Sequence, residues 1–270
     1  MPLPLRPLAC IALGLSALLG TPAAFAAAQS VGVPLKPVKL SPEAAAALCA
    51  RVQPACTADS VGLYGDAKAQ TGWRYYLLDS SASQVWVSQD SAFTEPRFWS
   101  YKVPHQDEGE STNWRLYPAL YRTGTAWAWA VVSYRSRAYS GGGDRFEVAD
   151  FVAFDWGDAP RVHYAAIPFS CSSLVRACFA EKDYEAGRKV GHCHDENWGH
   201  LRIHQGQRPA TADDPAWQFV WHQTDWPAFV PKTKAKSQTT VLPVKHGQPS
   251  QPGAHTNTAN SELMCGGMNQ

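Results

Sequence analysis

The densest group of side chains that could bind a metal lies between residues 191 and 204, in the sequence GHCHDENWGHLRIH. Imidazole nitrogens are common ligands of zinc and copper. On an extended chain alternate side chains share a face, so the first two histidines would lie together, and so would the last two. The alternative is a set of solvated residues, because residues 195–199 resemble a hairpin turn and Cys193 is expected to be oxidised. The candidate metal ligands are His192, His194, His200 and His204.

A glycine-rich stretch, SGGGD, could in principle hold a phosphate group. Loops that bind phosphate usually lead into a helix N-terminus, whose free N–H groups bind the anion. Here the following residues, 145–148, alternate in polarity like a strand, so the stretch predicts a hairpin tip instead. Such a tip could contact a partner, and it supplies five candidate binding residues: Ser140, Gly141, Gly142, Gly143 and Asp144.

Eleven tryptophans are a second source of candidate binding residues. Trp127 and Trp129 are two apart and would share one face of a strand. If they are exposed, such rings could stack on sugars or anchor a protein interface. The alternative, which the sequence favours, is that they fill the core, as do the aromatic residues around Trp217, Trp221 and Trp226.

Signals of nucleophilic or acid–base catalysis are weak. The chain contains no G-x-S-x-G elbow, and cysteines committed to disulfides would leave no free thiol for catalysis. Asp107, Glu108 and Glu110 are grouped as glycosidase carboxylates could be, but a solvated acidic turn is the simpler interpretation. We therefore lean against an enzyme and expect no cofactor in a binding protein.

Six of the seven cysteines lie beyond residue 40, and an even number in an exported chain predicts disulfide bonds. Two pairs, Cys49 with Cys56 and Cys171 with Cys178, share a seven-residue spacing. Short loops have the smallest entropy cost of closure, so both local pairs are predicted. Cys193 with Cys265 then remains by elimination.

The first 26 residues are typical of a secretory signal peptide. Arg6 precedes an apolar run at residues 7–20, and Ala24 and Ala26 form an A-x-A cleavage site. Cys10 suggests a lipoprotein signal as the alternative, but it precedes most of the apolar run instead of following it. We therefore expect cleavage near Ala26 and a periplasmic or secreted protein.

The charge balance excludes some partner classes. Without Arg6 the chain's 24 basic and 23 acidic residues would be balanced, so we expect no nucleic-acid binding. Beyond residue 26 no apolar run reaches 18 residues, so no transmembrane segment is predicted. The partner expected is another protein of the cell envelope.

Short runs rich in valine and aromatic residues, separated by turn residues, dominate the chain from residue 73 onward. They predict an antiparallel, mainly β meander, in the form of a sandwich, a barrel or a small propeller-like array, stapled by disulfides. One N-terminal helix is expected to begin after Ser41-Pro42, and a short helix is expected at residues 172–181. Residues 27–230 are predicted to form a single domain, and residues 231–270 a flexible C-terminal tail.

Two classes of function remain open. The first is an exported, non-enzymatic binding protein, such as an inhibitor or immunity protein that neutralises a toxin or an envelope hydrolase. The second is a secreted metal-dependent hydrolase or metal-binding protein that uses the histidines of residues 192–204. The weak catalytic signals favour the first.

Overall fold

The computed structural model describes residues 30–101, 113–124, 126–154, 160–211, 214–247 and 265. The predicted leader, Cys10 and the acidic cluster at Asp107, Glu108 and Glu110 lie outside these residues. The helices are α1 (Pro42–Arg51) and α2 (Glu181–Val190), and a 3-10 turn spans Lys232–Lys234. The strands are β1 (Gly32–Pro34), β2 (Lys36–Val38), β3 (Val61–Gly65), β4 (Tyr75–Asp79), β5 (Gln84–Ser88), β6 (Arg97–Ser100), β7 (Asn113–Thr123), β8 (Ala126–Tyr139), β9 (Gly142–Ala153), β10 (Val162–Arg176), β11 (His194–Gln205), β12 (Trp217–Trp226) and β13 (Lys236–Val241).

Two antiparallel sheets confirm the predicted meander. One has eight strands in the order β1-β7-β8-β9-β10-β11-β12-β13, and the other has five in the order β2-β3-β4-β5-β6. The larger sheet curls into a half-barrel. The curl brings the residues at the start of β1 next to β11. Ser30 forms an isolated β-bridge with His204, and the Val31 amide donates a hydrogen bond to the Ile203 carbonyl at 3.2 Å. Among the described residues, no helix is long and apolar enough to cross a membrane.

Helix α1 begins where the sequence predicts, and it packs on the five-stranded sheet. The Ser41 hydroxyl accepts a hydrogen bond from the Ala44 amide at 3.2 Å, and Pro42 occupies the first turn, where its missing N–H is no loss. Leu48 and Val52 then pack against Trp86. This explains why the smaller sheet is buried on its helix side.

The core between the two sheets contains Trp129, which was one of the candidate binding residues. Trp129 is fully buried, with Tyr76 from the smaller sheet at a ring-centroid distance of 5.9 Å and Phe154 at 5.5 Å. A second core inside the curl is also aromatic and includes Trp217 and Phe151. The candidacy of Trp129 as an exposed binding residue is therefore wrong, and the interpretation of the tryptophans as core, which the sequence favours, is confirmed for Trp129 and Trp217.

The helix predicted at residues 172–181 is wrong in position. Residues 172–176 are the end of β10, because Ser172 is paired on both sides, with Arg145 of β9 and Trp198 of β11. Pairing with two neighbouring strands outweighs the weak helical preference of this segment. The helix begins at Glu181, where the Asp183 carboxylate accepts hydrogen bonds from the two amides that precede the first turn.

The segment beyond residue 230, predicted as a flexible tail, contributes in part to the fold. Strand β13 pairs with β12 and forms one edge of the eight-stranded sheet. Cys265 is buried beside Trp221. Residues 248–264 and 266–270 lie outside the described residues.

The disulfides confirm one predicted pair and correct the other two. Cys49 is bonded to Cys56, as predicted, but Cys171 is bonded to Cys265 and Cys178 to Cys193. The predicted Cys171–Cys178 pair is wrong because the chain from Cys171 to Arg176 is extended strand. These five residue steps of strand span roughly 17 Å, whereas the bonded Cα atoms lie 5.6 and 6.0 Å apart in the two observed pairs.

Candidate functional site

The histidine-rich segment is one continuous strand and not a hairpin. Every residue of β11 pairs with β12 from Glu196 to Gln205, and its first seven residues also pair with β10. The predicted turn at residues 195–199 is therefore wrong. Because side chains alternate along a strand, His194 and Glu196 lie on one face, and His192 just before the strand continues the same alternation.

Three of these side chains form a compact group. Ligand atoms of His192, His194 and Glu196 all lie within 4.8 Å of one another. The Nδ1 atom of His192 is 3.8 Å from Oε1 of Glu196. His192 is buried, while the other two are half-buried and accessible from solvent.

His192 is fixed in orientation by its surroundings. Its ring stacks on Trp226 with a centroid distance of 3.5 Å and an interplanar angle of 6°. Its Nε2 atom is 3.4 Å from the Trp226 carbonyl oxygen, which can only accept a hydrogen bond. A hydrogen bond between them places the hydrogen on Nε2, and in the neutral ring the lone pair is then on Nδ1, the atom that lies 3.8 Å from Glu196.

The other two predicted ligands lie elsewhere. His200 is six residues further along β11, roughly 20 Å from His194, and its ring stacks on His222 of β12 at 5.3 Å. Burial lowers the pKa of both stacked histidines, and Arg202 lowers them further. His204 lies at the bridge to Ser30. The structure thus brings together two of the four predicted ligands and adds Glu196, which the sequence reasoning missed.

The glycine-rich stretch is a hairpin tip, as predicted. Ser140 and Gly141 form the turn between β8 and β9, and Gly141 has a φ of +96°, which glycine adopts at little cost. Gly142 lies directly against the Leu174 carbonyl oxygen, so any Cβ there would collide with the backbone of β10. Asp144 forms an ion pair with Arg137 at 3.1 Å. Strand, and not helix, follows the glycines, so the features of a phosphate loop are missing from this stretch.

An exposed patch of aromatic and apolar side chains lies where β10 ends. It consists of Leu174, Arg176, Phe179 and Tyr184, and is called the distal patch below. Phe179 is 73% exposed, Tyr184 40% and Leu174 38%. The Arg176 guanidinium lies 5.7 Å from the Phe179 ring and 5.6 Å from the Tyr184 ring.

Arg176 is held in place by hydrogen bonds as well as by the rings. Its Nε donates to the Cys178 carbonyl at 2.8 Å, and its Nη2 donates to the Tyr184 hydroxyl. In the β10–β11 register Arg176 is opposite His194, and Leu174 is opposite Glu196. The distal patch therefore adjoins the His192–His194–Glu196 group. Its members come from a strand, a loop and a helix, so no periodicity in the sequence indicates it.

Glu147 is a buried carboxylate that accepts hydrogen bonds from three side chains. It accepts hydrogen bonds from Ser170 at 2.6 Å, from Arg115 at 3.0 Å and from Arg145 at 2.6 Å. Burial by itself would raise the pKa of Glu147, but these three donors outweigh it and hold the pKa below its ordinary value. The carboxylate is thus kept ionised, which suits a structural role.

We expect the stability of the protein to fall in acid partly through Glu147. A depressed carboxyl pKa stabilises the fold above the ordinary value of 4.5, and this contribution is lost as the pH falls through the lower folded pKa. In urea unfolding from about pH 7 down to about pH 3, Glu147→Gln should be less stable than the wild type at neutral pH and should lose less on acidification. Glu181→Gln, at an exposed position of α2, is the control, and an acid slope for Glu147→Gln as steep as the wild type's would contradict the assignment.

Comparison with known proteins adds no relative. The chain matches no family model, no curated protein and no solved structure at a significant level.

Proposed function

We propose that this is an exported, non-enzymatic protein that binds another protein of the cell envelope, and that it does so through the distal patch. In its more specific form the proposal is an inhibitor or immunity protein that neutralises a toxin or an envelope hydrolase. The three disulfides fit a chain that folds in an oxidising compartment.

The exposure of the distal patch is the observation that supports the proposal. Three of the six large apolar or aromatic side chains exposed in the described part of the chain belong to it. Aromatic residues and arginine are the residue types most often found as binding hot spots. Arg176 is already ordered by its hydrogen bonds and rings, so little side-chain entropy remains to be lost on binding.

The rigid surroundings of the patch also favour recognition over catalysis. The Cys178–Cys193 disulfide joins the end of β10 to the start of β11, and the Ala177 amide donates to the Cys193 carbonyl at 3.0 Å. A hydrolase built on His192, His194, His200 and His204 is less favoured, because the last two histidines lie far from the first two.

We expect truncation of the patch to weaken partner binding strongly. The mature protein should recover one stoichiometric partner from an envelope extract, and Phe179→Ala with Tyr184→Ala should weaken that complex by about 1,000-fold, since two hot-spot residues at about 2 kcal/mol each sum to about 4 kcal/mol. For an inhibitor, the partner's activity should fall with the wild type and not with the variant. Affinity is measured by calorimetry with the purified partner.

Two variants define the limits of the interface, one on a distant edge strand and one where the patch borders the glycine-rich tip. Val241→Ala removes an exposed apolar side chain on β13 and should bind like the wild type. Tyr139→Ala removes a tyrosine that is as exposed as Tyr184 but lies beside the glycine-rich tip, where its hydroxyl donates to the Leu174 carbonyl oxygen at 3.4 Å. Loss of binding in Tyr139→Ala with retention in the double variant would move the interface to the tip, and recovery of no stoichiometric partner would contradict the proposal as a whole.

A further inference from the structure

We propose that His192, His194 and Glu196 bind one zinc ion. The inference is independent of the proposed partner, because it rests on three side chains of this chain alone. It replaces the four-histidine site, which the sequence offers as the alternative to solvated residues, with a different donor set of two imidazole nitrogens and one carboxylate oxygen. That set is one that zinc occupies in proteins, with a fourth position open to water.

Strand geometry brings the three donors together. The sequence H-x-H-x-E places alternate side chains on one side of an extended chain, and the three residues have ligand atoms within 4.8 Å of one another. Two ligands of a tetrahedral zinc lie roughly 3.3 Å apart, given bonds of about 2.0–2.1 Å. The observed 3.8 Å between His192 Nδ1 and Glu196 Oε1 is too long for a hydrogen bond but needs only a small side-chain rotation to hold an ion.

The surroundings of His192 already have the form seen around metal-binding histidines. A ligating histidine usually donates its other ring N–H to a carbonyl or a carboxylate, which fixes the tautomer and the direction of the ring. Here the Trp226 carbonyl accepts from Nε2, and the Trp226 ring covers one face of the imidazole. Nδ1 is the atom left to bind the ion, and it is the atom directed at Glu196.

The chemistry of the segment selects the type of metal. Cys193 lies between the two histidines, but its sulfur is bonded to Cys178, so no thiolate contributes. Imidazole with one carboxylate suits zinc, whereas calcium and magnesium prefer oxygen ligands alone. Two neutral imidazoles and one carboxylate carry a single negative charge, which favours a divalent cation.

The test is zinc binding by the untagged mature protein after removal of bound metal with a chelator. Calorimetry with zinc chloride, checked by elemental analysis, should give one ion per chain. His194→Ala and Glu196→Gln should each weaken binding by about 100-fold or more, because even loss of a hydrogen bond to a ligand costs roughly 10–100-fold. Cobalt in place of zinc should give the visible absorption of a tetrahedral site in the wild type and lose it in both variants.

His200→Ala is the matched control, since it removes an exposed histidine of the same strand and should leave zinc affinity unchanged. Circular dichroism establishes that each variant is folded. The proposal is overturned if the wild type takes up less than half an equivalent of zinc, if His194→Ala binds as tightly as the wild type, or if His200→Ala loses as much affinity as His194→Ala.

Discussion

Replacing Trp129 by alanine is expected to lower the free energy of unfolding by about 3–5 kcal/mol, the usual cost of removing a large aromatic side chain from a core. Trp129, on β8 of the larger sheet, is fully buried and touches Tyr76 of the smaller sheet and Phe154, which directly follows β9. The cavity would therefore open at the contact between the two sheets. Guanidinium chloride unfolding, followed by circular dichroism, measures the loss.

Trp127→Ala is the matched control for this prediction. Trp127 is two residues earlier on the same strand, but it is half-buried, and the Arg122 guanidinium lies 5.3 Å from its ring. We expect a loss of roughly 1 kcal/mol, as for other partly exposed side chains. Equal losses for the two variants would show that Trp129 does not join the sheets.

Removal of the Cys178–Cys193 bridge, by alanine at both positions, is expected to cost about 3 kcal/mol. The bridge closes a sequence separation of 15 residues, and the chain-entropy model gives about 3 kcal/mol for a loop of that length. It also supports α2, because the single buried residue of that helix, Gly187, packs directly against both sulfur atoms.

Because the disulfide supports α2 directly, its removal should also destabilise that helix more than the rest of the fold. Amide hydrogen exchange should become faster throughout α2, while the amides of β8 and β9 keep their protection. Alanine at both Cys49 and Cys56, which removes a bridge over a separation of seven residues, should leave α2 unchanged. Normal protection of α2 in the Cys178→Ala, Cys193→Ala variant would contradict its dependence on the disulfide.

The fold was predictable as far as local patterns determine it. Alternating apolar residues and intervening turns predict the meander, and Ser41-Pro42 predicts the start of α1, because hydrogen bonds within a few residues decide both. The strand at residues 172–176 could not be predicted in this way, because it depends on distant partners; those of Ser172, at Arg145 and Trp198, are 27 and 26 positions away. The conformational preferences of the residues themselves do not indicate which distant strands they will pair with.

The site was predictable only in part for the same reason. The alternation H-x-H-x-E is visible in the sequence. The turn predicted at residues 195–199, however, would place Glu196 away from the face that carries His192 and His194. The predicted pairing of Cys171 with Cys178 is wrong because a short loop has a low entropy cost of closure only when its chain can bend. Here strand β10 keeps most of that loop extended. The distal patch joins Leu174 to Tyr184 through a strand end, a loop and a helix, and only the tertiary structure shows that arrangement.

The bond between Cys171 and Cys265 has a consequence for what a protease can do to the folded chain. A single cut anywhere between these two residues leaves both fragments attached through sulfur. Strands β11, β12 and β13 all lie within that interval, so the piece that carries them stays tethered to the rest of the chain. A nicked molecule can thus keep its folded sheet, and its two halves separate on a denaturing gel only after reduction.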